Sequence, residues 1–148
     1  KIDNLKCENI GNDCLDFSNA KILANNIFTN NVDDKSISVG ENSNVEINNL
    51  NINNSEVGIA VKDNSIARIN LVNIKKSKLP IAVFVKKNEY GPAELTINNF
   101  NISDSNDVYL VDNISKLVIE GINYEGSLSG EIIESSLYGN EYGKATIR

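Results

Sequence analysis

A repeat of about 22 residues constrains the fold of this chain more than any other feature of its 148-residue sequence. The segments VEINNLNINNSEVGIAVKDNS (Val45 to Ser65) and ARINLVNIKKSKLPIAVFVKK (Ala67 to Lys87) align without a gap, and the alternating apolar residues of the first match apolar residues of the second. Short alternating apolar and polar runs separated by Asn, Asp, Ser and Gly are typical of β-strands. About three such strands fit into each repeat unit, and helical spacing is not sustained along the sequence.

The same register extends toward both ends of the chain. It includes Leu5, Leu15 and Phe17 near the start, and it resumes at Leu95 after an insertion of six residues. Units this short predict an all-β solenoid of about five to six coils, in which parallel strands stack roughly 4.8 Å apart. The leucine consensus of leucine-rich repeats and the hexapeptide period of left-handed β-helices are both absent. We therefore interpret residues 1–148 as a single β-helix domain.

One repeat position, just before a strand opens, holds mostly asparagine; its occupants are Asn4, Asn26, Asn49, Leu71, Asn99 and Gly121. Four asparagines and a glycine at one position predict a left-handed backbone there, and amides on successive coils can hydrogen-bond to one another. A stacked asparagine row at a tight turn resembles the right-handed parallel β-helix, or pectate-lyase-like, superfamily. The likeness is architectural, covers essentially the whole chain and points to no specific member. Leu71 departs from the row and should interrupt it.

Composition and charge exclude several classes of function. The chain has 20 acidic and 14 basic residues, a net charge of −6 and only two arginines, so it is a poor candidate for binding nucleic acid. It has no histidine, and any acid–base chemistry must therefore use Lys, Asp, Glu or Tyr. No apolar run is long enough for a membrane span, and no signal peptide is recognisable.

The two ends of the chain carry separate expectations. The sequence begins within the repeat, so we expect the C-terminal part of a longer protein, with the first coil covered by an upstream domain or by a second copy of the chain. Residues 125–148 lack the repeat and are interpreted as a C-terminal capping segment. Within this segment the apolar residues predict a terminal hairpin or short strand; they are Ile132, Ile133, Leu137 and Tyr138.

Two neighbouring columns on the outer face of the coils hold unusually small residues. They comprise Cys14, Ser36, Gly58 and Pro80 in one column and Asp16, Ser38, Ala60 and Ala82 in the other. Because an open strand face normally carries larger polar side chains, we expect protein to cover this face, with a ligand groove as the alternative. A partner chain or a second copy of this chain could provide the cover.

The two cysteines are assigned to opposite sides of the coil. Cys7 shares its repeat position with Ile52 and Ile74, which predicts a buried thiol, whereas Cys14 falls in the outer column with Ser36. Opposite orientations predict that the two do not form a disulfide.

The insertion KKNEYGPAE, Lys86 to Glu94, predicts a surface loop on one coil. Loops on rigid scaffolds often carry binding residues. Tyr90 and an outward-facing Phe84 could stack on sugar rings while lysines contact carboxylates or hydroxyls; the predicted ligand-binding residues are Lys62, Phe84, Lys86, Lys87 and Tyr90. Alternatively, Tyr90 packs back onto the solenoid and the loop has no ligand.

Catalysis is the second interpretation, because the resemblance implies relatives that are polysaccharide lyases and hydrolases. Lyases of that superfamily use calcium held by outer-face carboxylates, but here Ser38, Ala60 and Ala82 follow Asp16 on that face. The best available acidic cluster gives catalytic candidates Asp13, Asp16, Asp34, Lys35 and Lys62 and calcium candidates Asp16, Asp34 and Glu41. Corner residues such as Glu41 and Asp63 also recur simply because each coil has a corner.

The sequence therefore favours a non-catalytic β-helix module of a larger secreted or surface-associated bacterial protein. In this hypothesis the domain is a rigid scaffold that binds a polysaccharide or a neighbouring domain, needs no cofactor and acts outside the cell. The alternative is a fragment of a polysaccharide lyase, epimerase or hydrolase that acts on an acidic polysaccharide.

Overall fold

The computed structural model describes residues 1–139 and Tyr142. Its strands stack as coils about 22 residues apart and form a parallel β-solenoid of about five turns, which confirms the predicted all-β fold. The elements are β1 (Ile2–Ile10), β2 (Leu15–Ser18), β3 (Lys21–Gly40), β4 (Asn44–Lys62), β5 (Ile66–Phe84), β6 (Glu94–Ser103), β7 (Tyr109–Val111), β8 (Lys116–Ile119), β9 (Ile122–Tyr124) and α1 (Gly130–Leu137).

The predicted register is present in the three complete coils β3, β4 and β5. Ile37 pairs with Ile59 and Ile59 with Ile81, while the valines two residues later pair in the same way. These side chains are fully buried in one continuous core along the solenoid. Burying each such aliphatic side chain is worth about 1.5–3 kcal/mol, so the stacked core is the main source of stability.

The asparagine row forms the predicted amide ladder. Asn26 Nδ2 donates to Asn4 Oδ1 and Asn49 Nδ2 donates to Asn26 Oδ1, each over 2.9 Å. At the Leu71 coil the ladder stops, as expected, and Asn99 Nδ2 donates to the backbone oxygen of Asn70 instead. Amide stacking between identical residues is therefore what asparagine provides at this position.

The prediction of a left-handed backbone along that row is wrong, since Gly121 alone among its members has a positive φ, of 81°. Left-handed residues lie instead at other corners of the coils. One column comprises Asn9, Asn31, Asn54, Lys76 and Asp104, a second corner holds Asn19, Glu41, Asn42, Asp63 and Asn64, and Glu120 precedes Gly121. Asparagines in the first column also form a ladder, with Asn54 Nδ2 donating to Asn31 Oδ1 over 2.8 Å. Asparagine is frequent both at the position whose amides stack and at the positions with a left-handed backbone, so residue type alone does not tell the two kinds of position apart.

The prediction of two unpaired cysteines is wrong, because Cys7 and Cys14 form a disulfide with their Cα atoms 6.1 Å apart. The outward assignment of Cys14 fails because the chain bends just before Ile37, so strict alternation cannot be extended back through the bend. One coil further on, the equivalent residues Thr29 and Ser36 share a buried hydrogen bond of 2.9 Å. The column that contains Cys14 and Ser36 therefore faces inward.

Gly58 and Pro80 continue that inward-facing column. A Cβ atom on Gly58 would lie 2.5 Å from the Pro80 carbonyl oxygen and 3.3 Å from Ile74 Cδ1, so a side chain does not fit. Small residues occur in this column because its space is already filled from inside the coil. The residues immediately before, Val57 and Leu79, turn outward and are fully buried under the C-terminal helix.

Protein covers the small-residue outer face, but the cover is the chain's own C-terminal segment, which was predicted to close the end of the solenoid with a strand or hairpin. Instead of a strand or hairpin over Ile132 to Tyr138, the chain forms α1, which Ser129 caps by accepting a hydrogen bond from the Ile132 backbone. Ile133 and Leu137 lie four residues apart on one face of α1 and pack on the small-residue column that includes Ala60 and Ala82. The remainder of the predicted cap, 140, 141 and 143–148, lies outside the described residues.

A hairpin does form earlier than predicted. Strands β8 and β9 pair antiparallel, with Ile119 opposite Ile122, so the chain folds back where the repeat was expected to continue. The turn passes through Gly121, whose left-handed conformation suits the reversal.

The described residues include one helix, α1, which at eight residues is too short to span a membrane.

Candidate functional site

A polar cleft of about 290 Å³ lies between the ends of three successive coils and the end of α1. We call it the lysine cleft; its lining residues are Asn12, Asp13, Asp16, Asp34, Lys35, Gly40, Glu41, Lys62, Lys86, Lys87 and Tyr138. The fold thus brings the predicted acidic cluster together with Lys86 and Lys87, the first two residues of the inserted loop. Four carboxylates and four lysines line the cleft, so the charge that it presents to a ligand depends on which of these groups pair with one another.

Lys35 is paired and buried at the bend of β3. Its side chain is 2% exposed, and its Nζ lies 2.7 Å from Asp34 Oδ1 and 3.5 Å from Asp13 Oδ1. The Lys35 backbone N–H also donates to Asp13 over 3.1 Å. Burial raises the pKa of Asp34 in spite of the neighbouring ammonium group. The three residues form a closed ion-pair network that ties the first coil to the second.

Lys87 is also paired, and its partner is Glu41. The contact lowers the pKa of Glu41 and raises that of Lys87, as expected when each charge stabilises the other. Nearby, the buried carboxylate of Asp63 accepts hydrogen bonds of 2.8 Å from the backbone N–H groups of Lys86 and Lys87. Glu41 and Asp63 both have positive φ values, 51° and 56°, so they are corner residues as well as cleft neighbours.

Lys62, the last residue of β4, is the exception in the cleft. Its side chain is 8% exposed, yet its ammonium group makes no hydrogen bond or ion pair with any residue that the structure describes. Desolvation lowers the pKa of Lys62, and Lys86 and Lys35 add to the effect, whereas Asp16 opposes it. Gly40 lies beside this side chain: a Cβ atom built there would be 3.5 Å from Lys62 Cε, an ordinary van der Waals distance.

Tyr138 forms one wall of the cleft and was missed by the sequence reasoning. Lys86 Nζ lies 4.0 Å from the centre of its ring and Lys35 Nζ lies 4.8 Å away, both within the range of cation–π contacts. Burial and the nearby Asp13 raise the pKa of the Tyr138 hydroxyl. No repeat position marked this residue, because it follows α1 and reaches the cleft only when the helix folds over the coils.

Two predicted ligand contacts lie outside the cleft. Phe84 does not project from the surface beside the loop: it is fully buried with Ile133 and Leu137 beneath α1, because the helix covers the face on which it stands. Tyr90 lies within the inserted loop, where its backbone N–H donates to the Lys87 oxygen over 2.9 Å. Lys62, Lys86 and Lys87 are the predicted contacts that the fold brings together.

The predicted calcium candidates Asp16, Asp34 and Glu41 all line the cleft. Within residues 1–139 and 142, however, no three His, Cys, Asp or Glu side chains are grouped closely enough to hold a metal ion. Asp34 bonds to Lys35 and Glu41 to Lys87, so two of the three carboxylates already serve lysines. The donor set does not fit calcium, which takes six to eight oxygen ligands.

Comparison of the chain with models of protein families, with curated proteins and with solved structures finds no match.

Proposed function

We propose that this chain is a non-catalytic β-helix module that binds an acidic polysaccharide through the lysine cleft, as a rigid part of a larger secreted or surface-associated protein. The observation that carries this proposal is the unpaired ammonium group of Lys62. Most charged side chains of this cleft are paired within the protein, so a lysine that lines it without a protein partner is available to bind an anionic ligand group.

The distribution of charges in the cleft supports a carboxylate-bearing ligand. Lys35 and Lys87 are each neutralised by an acidic partner, while Lys62 lacks one and Lys86 faces the ring of Tyr138. A uronate carboxylate between Lys62 and Lys86 would accept charge-assisted hydrogen bonds from both. Sugar hydroxyls could then bond to Asp16 and Asn12 at the rim of the cleft. The likeness to pectate-lyase-like β-helices is consistent with this class of ligand.

Calorimetric titration with polygalacturonate oligosaccharides tests the proposal. We expect binding that weakens with added salt, with a loss of about 1.5–3 kcal/mol of binding free energy in Lys62→Gln, the range for a hydrogen bond to a charged group. Lys75→Gln is the matched control, since Lys75 is an exposed lysine on the neighbouring coil, outside the cleft. Equal binding by wild type and Lys62→Gln would refute the proposal.

A second candidate function, a lyase or epimerase acting on acidic polysaccharide, is favoured by one observation. Burial lowers the pKa of Lys62 and so favours the neutral amine, which lines the cleft and can remove the proton beside a uronate carboxylate. Asp13, Asp16, Asp34 and Lys35 would then surround the reacting sugar. The assay is the appearance of unsaturated sugar ends, or of reducing ends for a hydrolase, with and without calcium. If neither product forms while the oligosaccharide binds, this second function is ruled out.

A further inference from the structure

Among the described lysines, Lys62 alone is more than nine-tenths buried and lacks a hydrogen-bonded or ion-paired acidic partner while lining a cleft. Lys35 is equally buried, but Asp34 and Asp13 hold its ammonium group. Lys75 and Lys116 are exposed to solvent. Lys62 is therefore the amine that differs from the others in both surroundings and bonding.

The surroundings of Lys62 favour the neutral, nucleophilic form of the amine. Two further cations, Lys86 and Lys35, line the same cleft, and Asp16 is the exposed carboxylate that opposes them most strongly at Lys62. Burial among like charges lowers the pKa of this amine. A lysine that is desolvated next to other cations is a recognised way to obtain a nucleophile that adds to carbonyl groups.

We propose that Lys62 is a covalent capture site, whose Nζ forms an imine with a carbonyl compound that also carries a carboxylate. The nitrogen bonds to the carbonyl carbon, and the carbonyl oxygen leaves as water with one proton from the nitrogen and one from solvent. The nitrogen keeps its second proton, so the neutral amine becomes a protonated imine that carries the single positive charge brought by the solvent proton. Solvent supplies this proton directly, because the cleft is open to water where Asp16 is exposed.

The requirement for a carboxylate comes from Lys86. Its Nζ lies 4.0 Å above the Tyr138 ring, and no carboxylate among the described residues pairs with it. An anionic group on the captured molecule would neutralise this second cation while the carbonyl carbon reaches Lys62. The cleft volume of about 290 Å³ accommodates a small oxo acid or the terminal residue of an acidic sugar chain.

Two sources of this chemistry can be separated, namely a free oxo acid and the open-chain reducing end of a uronic acid. Covalent capture at Lys62 goes beyond the proposed polysaccharide binding and does not depend on it, because a free oxo acid can react with Lys62 without any polysaccharide being bound. Failure of imine formation would leave the calorimetric result intact, and failure of polysaccharide binding would leave glyoxylate capture intact.

Reductive trapping tests the proposal on the whole chain. The protein is incubated at neutral pH with limiting glyoxylate or galacturonic acid and sodium cyanoborohydride, and modified lysines are then located by peptide mass spectrometry. We expect Lys62 to be modified at least about tenfold faster than exposed Lys75 and Lys116, since ordinary lysines near pKa 10.4 are almost entirely protonated at that pH. Modification by glyoxylate alone assigns the site to free oxo acids, whereas modification by both probes extends it to uronate reducing ends.

Matched variants separate chemistry from folding. Lys86→Gln should slow trapping of glyoxylate at Lys62 several-fold more than trapping of neutral acetaldehyde, because only glyoxylate carries a carboxylate for Lys86 to bind, with Lys75 as the internal reference. Lys62→Arg keeps the charge and should abolish the fast phase without transferring it to another lysine. Trapping at Lys62 no faster than at Lys75 in the wild-type protein, whose fold is checked by circular dichroism, would overturn the proposal.

Discussion

The asparagine ladders and the lysine cleft both place polar side chains on successive coils of one solenoid, but they satisfy those groups differently. In the ladders each amide bonds to an identical amide one coil away, as Asn49 does to Asn26. In the cleft, equivalent positions hold unlike residues, and pairs such as Lys35 with Asp34 form within the cluster. Repetition completes the hydrogen bonding of the ladders, whereas in the cleft Lys62 has no bonded partner among the described residues and faces the cleft instead.

The comparison teaches that a departure from the repeat can locate a site. Three departures meet at the cleft: the register shift between Val32 and Lys35, the inserted loop that begins at Lys86, and the helix that ends before Tyr138. None of them is needed to stack coils. Polar groups that hydrogen-bond to the same residue type on the next coil contribute to stability. Polar groups that have no such partner, because the repeat is broken beside them, are available to a ligand.

The largest loss of stability is expected from breaking the buried ion pair between Lys35 and Asp34 in the cleft. Lys35→Met should lower the free energy of unfolding by about 3–5 kcal/mol, because the buried carboxylate of Asp34 loses its partner. Urea denaturation followed by circular dichroism measures this. Adding Asp34→Asn to Lys35→Met should restore most of the loss, and a loss in Lys35→Met of only about 1 kcal/mol, as for an exposed ion pair, would contradict a closed network.

The helix that covers the small-residue face provides the second test. Leu137→Ala should lower the free energy of unfolding by about 3 kcal/mol, because Leu137 is fully buried against the coils. Ile132→Ala, five positions earlier on the exposed side of the same helix, is the control and should cost about 0.5 kcal/mol or less. Similar losses in both variants would mean that the helix does not pack on this face.

The third test asks whether Lys62, which has no bonded partner in the cleft, lowers the stability of the fold. Lys62→Met should raise the free energy of unfolding by about 1 kcal/mol at neutral pH, because an unpaired buried amine is replaced by an apolar side chain. The lowered pKa means that the unfolded chain binds more protons at Lys62, so wild-type stability at this residue rises with pH toward the ordinary value of 10.5. The gap between variant and wild type should therefore narrow as pH increases. Denaturation curves measured from neutral to alkaline pH check this, and destabilisation by Lys62→Met would contradict an unpaired lysine.

The smallest effect is expected in the ladder. Asn49→Leu copies the natural interruption at Leu71 and should cost about 0.5–1 kcal/mol, the net value of one partly exposed hydrogen bond. Thermal unfolding is the measurement, and Asn48→Leu in the neighbouring, exposed ladder is the matched comparison. A loss as large as that of Lys35→Met would show that ladders and cleft do not differ in the way described above.

The coil architecture could be predicted because its period appears directly in the sequence. Alternation of residues such as Ile37 and Val39, repeated at fixed spacing, is compatible with one inward face and one register. Positions at bends could not be predicted by the same rule. Cys14 and Ser36 lie next to a bend, where side chains change sides without a change in residue type, and the disulfide was therefore missed.

The candidate site was predictable only in part, for a related physical reason. Column alignment placed Asp13, Asp34, Lys35 and Lys62 near one another, since equivalent positions on successive coils are adjacent. It could not place Tyr138, which reaches the cleft through α1. The signals for that helix were local, namely Ser129 as an N-cap and Glu131 in the first turn. They did not indicate where the helix packs, and so Phe84 was assigned to the surface.

The inward column that begins at the disulfide has a consequence for engineering this solenoid. On the first two coils this interior space is filled by two contacting pairs, Cys7 with Cys14 and Thr29 with Ser36, and on the next coil Gly58 is closely approached by Ile74. The unit that varies from coil to coil is the contacting pair, since a disulfide on one coil is replaced by a hydrogen-bonded pair of hydroxyl groups on the next. The double substitution Thr29→Cys with Ser36→Cys should therefore form a second disulfide one coil away from the first. In designed solenoids with more coils, residue pairs in this column could be exchanged between disulfide-bonded and hydrogen-bonded forms to set the stability of each coil.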